Sequence, residues 1–329
     1  MVVETIIPTD KNHWLALRRQ DVTSTEVSAL FGLSPYMTEF ELWMRKKHQT
    51  EVEFEENERM KWGTRLQDAI AYGVAVDEQL FIRPAPEYCR IPDLRIGSSF
   101  DFIVTDGVYK YKRDQSPAGI DSELKDEVIQ TSSPQDKAIL EIKNVDSLQF
   151  RNGWLIDDEG VTEAPPYIEL QVQQQMLIKD LPSTKIRALI GGNTVAKIER
   201  QADLDIHSEI KIRVKKFWDS IDSNTPPPID FERDAKFISK LYGFAEPGKV
   251  IEADFRLHDL AQKYKDASDW EKKYKTSKEG LKAEMLSIMG SAEKAMHAKF
   301  SISAGVVGPS RIEAFERAGY RLFKVNFIK

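Results

Sequence analysis

The stretch Ala138-Ile139-Leu140-Glu141-Ile142-Lys143-Asn144-Val145 reads as a short buried strand carrying two charges that its apolar neighbours do not explain. Glu141 and Lys143 are two apart, so on an extended strand both point to the same face. Leu140 and Ile142 point the other way, into a core. A carboxylate and an ammonium side by side on a rigid strand can hold a divalent cation and polarise a water next to it. This reading makes the rest of the chain a scaffold that delivers a scissile phosphate to Glu141 and Lys143.

Composition narrows the class. Of 329 residues, 41% are hydrophobic and 30% charged, a balance that builds a core rather than a disordered chain. The length suits one large domain or two ordinary ones. No apolar run approaches the roughly 20 residues of a membrane span. The start, Met1-Val2-Val3-Glu4, lacks the basic and apolar regions of a secretory signal, so a cytoplasmic protein is expected. A single cysteine, Cys89, rules out an intrachain disulfide and a cysteine-rich zinc site. The net charge of -6 argues against a generic nucleic-acid coat, yet it leaves room for a nuclease with a locally basic groove.

Working outward from the strand, a helix starts after Pro165-Pro166 and carries Gln171, Gln173, Gln174 and Gln175. Glutamine is a fair helix former, so the cluster reads as a solvated face, with Gln171 and Gln174 on one side at i, i+3. Upstream, Arg95 to Val104 reads as a strand, in which Asp101 is either turn chemistry or a metal ligand. Between them, 106–137 is polar and reads as a surface loop or flap. Asn57 to Val76 reads as an amphipathic helix in which Gly63 permits a close approach. Nearer the start, Asp21 to Gly32 reads as a helix N-terminus suited to an anion, with Arg18 or Arg19 closing over it. Ser147 to Gly160 reads as irregular.

Downstream, Lys185 to Arg200 is a hairpin turning through Gly191-Gly192-Asn193, and Asp203 to Ile221 a helix. The run Asn224-Thr225-Pro226-Pro227-Pro228 is the clearest linker, which predicts domains at 1–225 and 226–329. Beyond it, Leu257, Leu260, Tyr264, Ala267, Tyr274, Leu281, Met285 and Ile288 repeat at alternating 3/4 spacing, broken by Glu271 and Lys278. That is a heptad seam, expected as a helical hairpin or a coiled-coil arm. Lys299 to Ser303 and Tyr320 to Phe327 alternate like edge strands.

In this constellation Asp101 and Glu141 supply oxygens for one or two Mg²⁺ ions, and Lys143 handles the attacking water. Asp101 followed by Glu141-x-Lys143 resembles the PD-(D/E)XK nuclease signature. From Trp14 to about Ile221 the chain resembles the phage lambda exonuclease / YqaJ-type viral recombinase family. Trp14-x-x-x-Arg18 and Val22-Thr23-Ser24-Thr25-Glu26-Val27 resemble its entry motif. Leu33-Ser34-Pro35-Tyr36 with Glu39, Leu42 and Trp43 fits its next pattern. Trp62-Gly63-Thr64 opens its glycine–glutamate helix, Ser99-Phe100-Asp101 stands at its SPDG position, and Leu170-Gln171-Val172-Gln173 matches its glutamine helix. Three departures stand out. Gln67 occupies the family's helix-borne glutamate position, Asp101 lacks the flanking proline and glycine, and 106–137 is longer than the family's hairpin.

The resemblance implies an α/β (α+β) restriction-endonuclease-like PD-(D/E)XK core, a central mixed sheet flanked by helices, with a helical C-terminal extension ending in short strands. It implies a deoxyribonuclease acting 5′→3′ on linear double-stranded DNA, encoded by a phage or acting in a bacterial cytoplasm, and leaving 3′ single-stranded tails for recombination. Asp101, Glu141 and the Ile142 carbonyl would hold Mg²⁺, for which Mn²⁺ substitutes. Lys143 and Gln171 would act on the water or phosphate, Arg18 and Thr25 would grip the 5′-phosphate, and Gln67 would be an accessory. Expected partners are duplex DNA ends, a single-strand annealing protein and further copies in a ring trimer, with no membrane. The alternatives are a PD-(D/E)XK endonuclease or nickase, and a DNA-binding recombination scaffold with a degenerate site.

Overall fold

The apolar run Ala138–Ile142 is buried on both faces, which is what a strand at the centre of a sheet requires. The computed structural model describes residues 2–48, 57–107, 109–111, 126–128, 135–156, 162–308 and 323. In chain order the elements are β1 (Glu4–Ile6), α1 (Lys11–Gln20), β2 (Val22–Thr23), a 3₁₀ helix (Val27–Phe31), α2 (Glu39–His48), α3 (Glu58–Glu78), β3 (Phe81–Pro84), β4 (Tyr88–Ile91), a 3₁₀ turn (Pro92–Leu94), β5 (Ile96–Ser99) and β6 (Phe102–Thr105). There follow β7 (Tyr109–Tyr111), β8 (Asp126–Val128), β9 (Asp136–Val145), α4 (Ser147–Gly153), β10 (Leu155–Ile156), β11 (Thr162–Glu163) and α5 (Pro166–Lys179). The rest are β12 (Ser183–Ile190), β13 (Thr194–Gln201), α6 (Leu204–Asp222), α7 (Ala235–Leu241), α8 (Phe255–Met289), β14 (Lys294–His297) and β15 (Phe300–Ser303).

A five-stranded sheet in the order β13-β12-β9-β6-β3 is the centre of the fold. β12 runs parallel to β9 and the other neighbours are antiparallel. This is the mixed, helix-flanked α/β core expected from the sequence. Leu140 and Ile142 pack with Ile70, Ala71 and Val74 of α3 and with Phe102. Ile139, on the face shared with Glu141, packs with Ile168, Val172 and Met176 of α5.

The strand expected from Arg95 to Val104 is two strands in two sheets. β5 belongs to a four-stranded sheet, β1-β4-β5-β2, and β6 to the central one. The break falls at Phe100, which turns into the core, and at Asp101. The β6–β9 ladder begins at Phe102 opposite Leu140, so Ile142 lies past its end, and Asp101 Oδ2 accepts the Ile142 N–H at 2.8 Å instead. The smaller sheet is pinned by Asp21, fully buried, which accepts from Arg90 at 2.8 and 2.9 Å and from the Tyr88 hydroxyl at 3.0 Å. Gly97 is required there, because a Cβ would lie 2.0 Å from the Tyr88 oxygen.

Other expectations are corrected. Gly63 mediates no close approach, since a Cβ at this position meets nothing within 4 Å. Ser147–Gly153 is helical rather than irregular, capped by Asp146, whose carboxylate accepts the N–H groups of Leu148 and Gln149. The segment after Asp21 is no full helix N-terminus but a five-residue 3₁₀ helix. Glu26 accepts the Thr23 N–H at 2.9 Å, which closes the turn ahead of that short helix. Most of 106–137 lies outside the described residues, as does Tyr320 to Phe327 apart from Phe323.

Two compact units divide between Phe237 and Ile238. The prolines at 226–228 lie inside the first unit, because buried Asp234 accepts from the Thr38 hydroxyl and the Phe237 ring meets that of Phe40. In the second unit the heptad seam lies on one 35-residue helix, α8, rather than on a hairpin of helices. Its start is capped by Asp254, and β14 pairs antiparallel with β15 beyond it. Among the described residues, no helix is long and apolar enough to cross a membrane.

The central sheet holds a deeply buried guanidinium. Arg187 on β12 is 2% exposed, bonds Glu78 of α3 through two contacts of 2.7 Å, and donates to the Ile186 and Ile198 carbonyls. Among the described residues, Arg187→Ala leaves the Glu78 carboxylate Lys197 alone, at 3.2 Å. A loss of about 3 kcal/mol is expected, read as a lower urea midpoint at unchanged m-value. A change below about 0.5 kcal/mol would mark the pair as energetically equivalent to a surface bridge.

Candidate active site

The Glu141 carboxylate is 2% exposed, and a charge so placed must be met by donors on every side. Its Oε1 accepts from Lys143 Nζ and from Gln171 Nε2, both at 2.6 Å, and its Oε2 from Gln175 Nε2 at 2.9 Å. Lys143 Nζ also reaches Gln171 Oε1 at 3.3 Å. Glu141 and Lys143 thus share a face, as the alternation of the strand requires, and α5 covers that face.

The glutamines of α5 are not a solvated face. All four are buried, each with acceptors or donors from distant parts of the chain. Gln173 bonds Gln201 and Asp203 across the β13–α6 junction, and Gln174 donates to the Val22 carbonyl at 2.9 Å. Gln171 and Gln175, one turn apart, meet Glu141. The pair on one side is therefore i, i+4 rather than Gln171 with Gln174. Gln175 also donates to the Ser99 carbonyl at 3.3 Å. It is a site residue that the sequence reading missed, and its spacing from Gln171 was the available signal.

Asp101 arrives from the β5–β6 break and accepts from Ile142 N–H and from the Gln67 side chain. Gln67 thus reaches the site from α3 as a hydrogen-bond partner of the carboxylate. Burial first, and the Glu141 charge second, push the Asp101 carboxyl up to about 7. Burial alone would lower the Lys143 ammonium, but Glu141 and Asp101 outweigh it and the net shift is upward. Lys143 is therefore held as a cation. Tyr36, 71% exposed, lies near Lys143 and meets Tyr167 edge-to-face with ring centres 5.5 Å apart. No sequence signal tied Tyr36 to Lys143.

Arg18 and Thr25 also meet. Arg18 Nη2 donates to the hydroxyls of Thr25 at 3.1 Å and Thr23 at 3.3 Å, with its guanidinium over the Trp14 ring. Glu26 lies beneath, where Lys46 and Arg18 outweigh its burial and lower its carboxyl. Trp14 Nε1 donates to Ser99 Oγ at 2.8 Å, and the Ser99 carbonyl accepts from Gln175. One run of contacts therefore joins the Arg18 cluster to Glu141.

The residues present suit a hard divalent cation. Two carboxylates converge, and no group of three or more His, Cys, Asp or Glu side chains forms a metal site among the described residues. Mg²⁺ is commonly held by one or two carboxylates with water and substrate phosphate completing its shell. Gln175 Oε1, beside Glu141, is a buried acceptor with no partner among the described residues. The donors are all oxygen.

Residues 13–185, more than half of the chain, match the family model described as YqaJ-like viral recombinase domain. An uncharacterized protein, YqaJ, of Bacillus subtilis (strain 168) is 25% identical over 258 residues, covering 77% of this chain and 70% of its own. Among solved structures, an alkaline exonuclease from Laribacter hongkongensis is 16% identical with a TM-score of 0.44, over 70% of this chain and 100% of that one. A phage related exonuclease from Haemophilus somnus 129PT is 13% identical with a TM-score of 0.39, over 64% of this chain and 99% of its own.

The raised Asp101 carboxyl has a consequence for stability. Its value in the fold, about 7, lies above the usual 3.8, so the fold keeps it protonated at acidic pH and loses stability as pH climbs from about 4 through 7. Asp101→Asn keeps an acceptor for Ile142 N–H without the charge. In EDTA it is expected to melt above the wild type at pH 8, with the gap closing by pH 4. Equal melting temperatures across that range would show that Asp101 ionises without cost.

Proposed function

Because the chain belongs to the YqaJ-like viral recombinase family, we propose that it is a Mg²⁺-dependent DNA exonuclease that degrades linear duplex in the 5′→3′ direction and leaves 3′ single-stranded tails for an annealing protein. The observation that carries this reading is the convergence of Asp101, Glu141, Lys143 and Gln171 from β9, α5 and the break between two sheets. Asp101, Glu141 and the Ile142 carbonyl would hold the ion. When bound, Mg²⁺ polarises the scissile phosphate and makes a nearby water more acidic.

The chain's own groups do the rest. Lys143, kept as an ammonium, donates to the attacking water and offsets charge that builds on the phosphate oxygens. The neighbouring Glu141 and Asp101 favour its protonated form, which suits a donor that orients the water. Gln171 bonds both Glu141 and Lys143 and fixes their separation. The water oxygen bonds to phosphorus as the P–O3′ bond breaks; the water gives up a proton and the leaving 3′ oxygen takes one. Arg18, a forked donor held by Thr23 and Thr25, suits a terminal phosphate. This group would set the 5′ polarity and place the next phosphodiester at Glu141.

Gln67 at the family's carboxylate position favours a second reading, a DNA-binding scaffold that has lost turnover. One substrate panel separates the readings: linear 5′-phosphorylated duplex, the same duplex with 5′-hydroxyl ends, and supercoiled plasmid, each with Mg²⁺. Release of mononucleotides from the phosphorylated linear duplex, with the plasmid intact, is expected. Plasmid cleavage would instead identify an endonuclease or nickase, and no digestion in Mg²⁺ or Mn²⁺ the scaffold.

Lys143→Ala is expected to lower turnover by about 100-fold or more while DNA binding stays near wild type. Activity within a few-fold of wild type would remove Lys143 from the chemistry. Arg18→Ala is expected to slow digestion of 5′-phosphorylated ends more than of 5′-hydroxyl ends. Equal slowing of both would make Arg18 a general backbone contact.

A further inference from the structure

In the second unit, α8 presents a helix of 35 residues, none of which is buried. At about 1.5 Å per residue it is some 52 Å long, and a helix that long with an apolar stripe owes its stability to what covers the stripe. The stripe is regular. Ten positions from Leu257 to Ile288 alternate at 3/4 spacing, with Leu257, Leu260, Tyr264, Leu281 and Ile288 all exposed. Only two positions are charged, Glu271 and Lys278, and they are seven residues apart with opposite sign. Two turns separate them along one helix, too far for them to meet.

We propose that α8 is a dimerisation arm that pairs antiparallel with α8 of a second copy of this chain. The charged breaks select both the occupant and the direction. In a parallel pair, equivalent seam positions face each other, so Glu271 meets Glu271 and Lys278 meets Lys278, and like charges stack in the seam. In an antiparallel pair each seam residue faces the complementary one. Leu257 then lies opposite the partner's Ile288 and Leu260 opposite the partner's Met285. This register sets Glu271 one layer from the partner's Lys278 twice per dimer and one layer from the partner's Glu271 once, at the dyad, so opposite-charge approaches outnumber the like-charge one.

The flanks agree in the same register. Lys263 comes beside the partner's Glu284, again twice. Among the described residues Lys263 pairs with Asp259, an exposed i, i+4 pair that costs little to exchange. The dyad falls between Glu271 and Tyr274, at the midpoint of the helix, so the seam pairs over its full length without an overhang. Phe323 meets Tyr264 with ring centres 5.4 Å apart, an intrachain contact that competes with pairing at that position. Tyr264 nonetheless stays half exposed.

Sedimentation equilibrium of the full chain tests the arm without reference to nuclease activity. The wild type is expected to associate in multiples of two. Lys278→Glu, and separately Glu271→Lys, should weaken that association tenfold or more, about 1.4 kcal/mol, because each sets like charges together at two places. Both substitutions exchange good helix formers, so the helix itself survives. The double variant, Glu271→Lys with Lys278→Glu, should recover wild-type affinity within about threefold. Under oxidising conditions, Leu257→Cys should form a disulfide with Ile288→Cys in a mixture and not with itself. A monomeric wild type, as the C-terminal segment covering the seam would give, overturns the proposal. So does an assembly indifferent to the reversals, as a ring built through the first unit would give, or self-linking of Leu257→Cys.

Discussion

The buried charge of Glu141 constrains more of this structure than any other interaction. An unpaired carboxylate at that depth would cost several kcal/mol, so the fold must bring an ammonium and two amide donors to it at hydrogen-bond distance. One donor comes from the strand itself, two residues on. The other two come from α5, which must lie across β9 with one face glutamine-rich and the rest apolar. The apolar part, Ile168, Val172 and Met176, packs on Ile139. The helix is thus positioned by burial and oriented by Glu141.

The second constraint is the break between β5 and β6. A continuous strand would put Asp101 in an ordinary pleat. Splitting it between two sheets frees the carboxylate to take the Ile142 N–H beyond the end of the ladder. The smaller sheet stays fixed because Asp21, Arg90 and Tyr88 lock one another and Gly97 lets the tyrosine hydroxyl approach its backbone. Ser99, the last residue of β5, is bonded on one side to Trp14 and on the other to Gln175. Ser99 thereby links the Arg18 cluster to the side chain that meets Glu141.

The parts of this legible in the sequence were those governed by local periodicity. Alternation alone put Glu141 and Lys143 on one face, and the turn at Gly191-Gly192-Asn193 marked the β12–β13 hairpin. What escaped depends on distant partners. Glutamine is compatible with water or with a buried carbonyl, and nothing in 171–175 says that Val22, Ser99 and Gln201 supply those carbonyls. β4 is four residues long with a cysteine and an arginine among them, too short for alternation to register. The α4 helix had its signal in Asp146, a capping residue. It was obscured because Leu148 and Phe150 do not form a helical stripe.

Gln67 bears on how the site balances charge. With Asp101 and Glu141 ionised and Lys143 protonated, these three groups carry one net negative charge. The fold relieves part of that by holding the Asp101 proton up to about 7. A third carboxylate at position 67, as the resembled family has it, would add repulsion on the side from which Gln67 donates. Here the amide favours the charged form of Asp101 and leaves one negative charge for a cation to neutralise instead of two. A cation held at such a site would compete with the proton on Asp101. An amide at this position therefore lessens the repulsion between carboxylates while keeping a hydrogen bond to Asp101, and Asp101 and Glu141 are met by four hydrogen-bonding side chains from two helices and a strand.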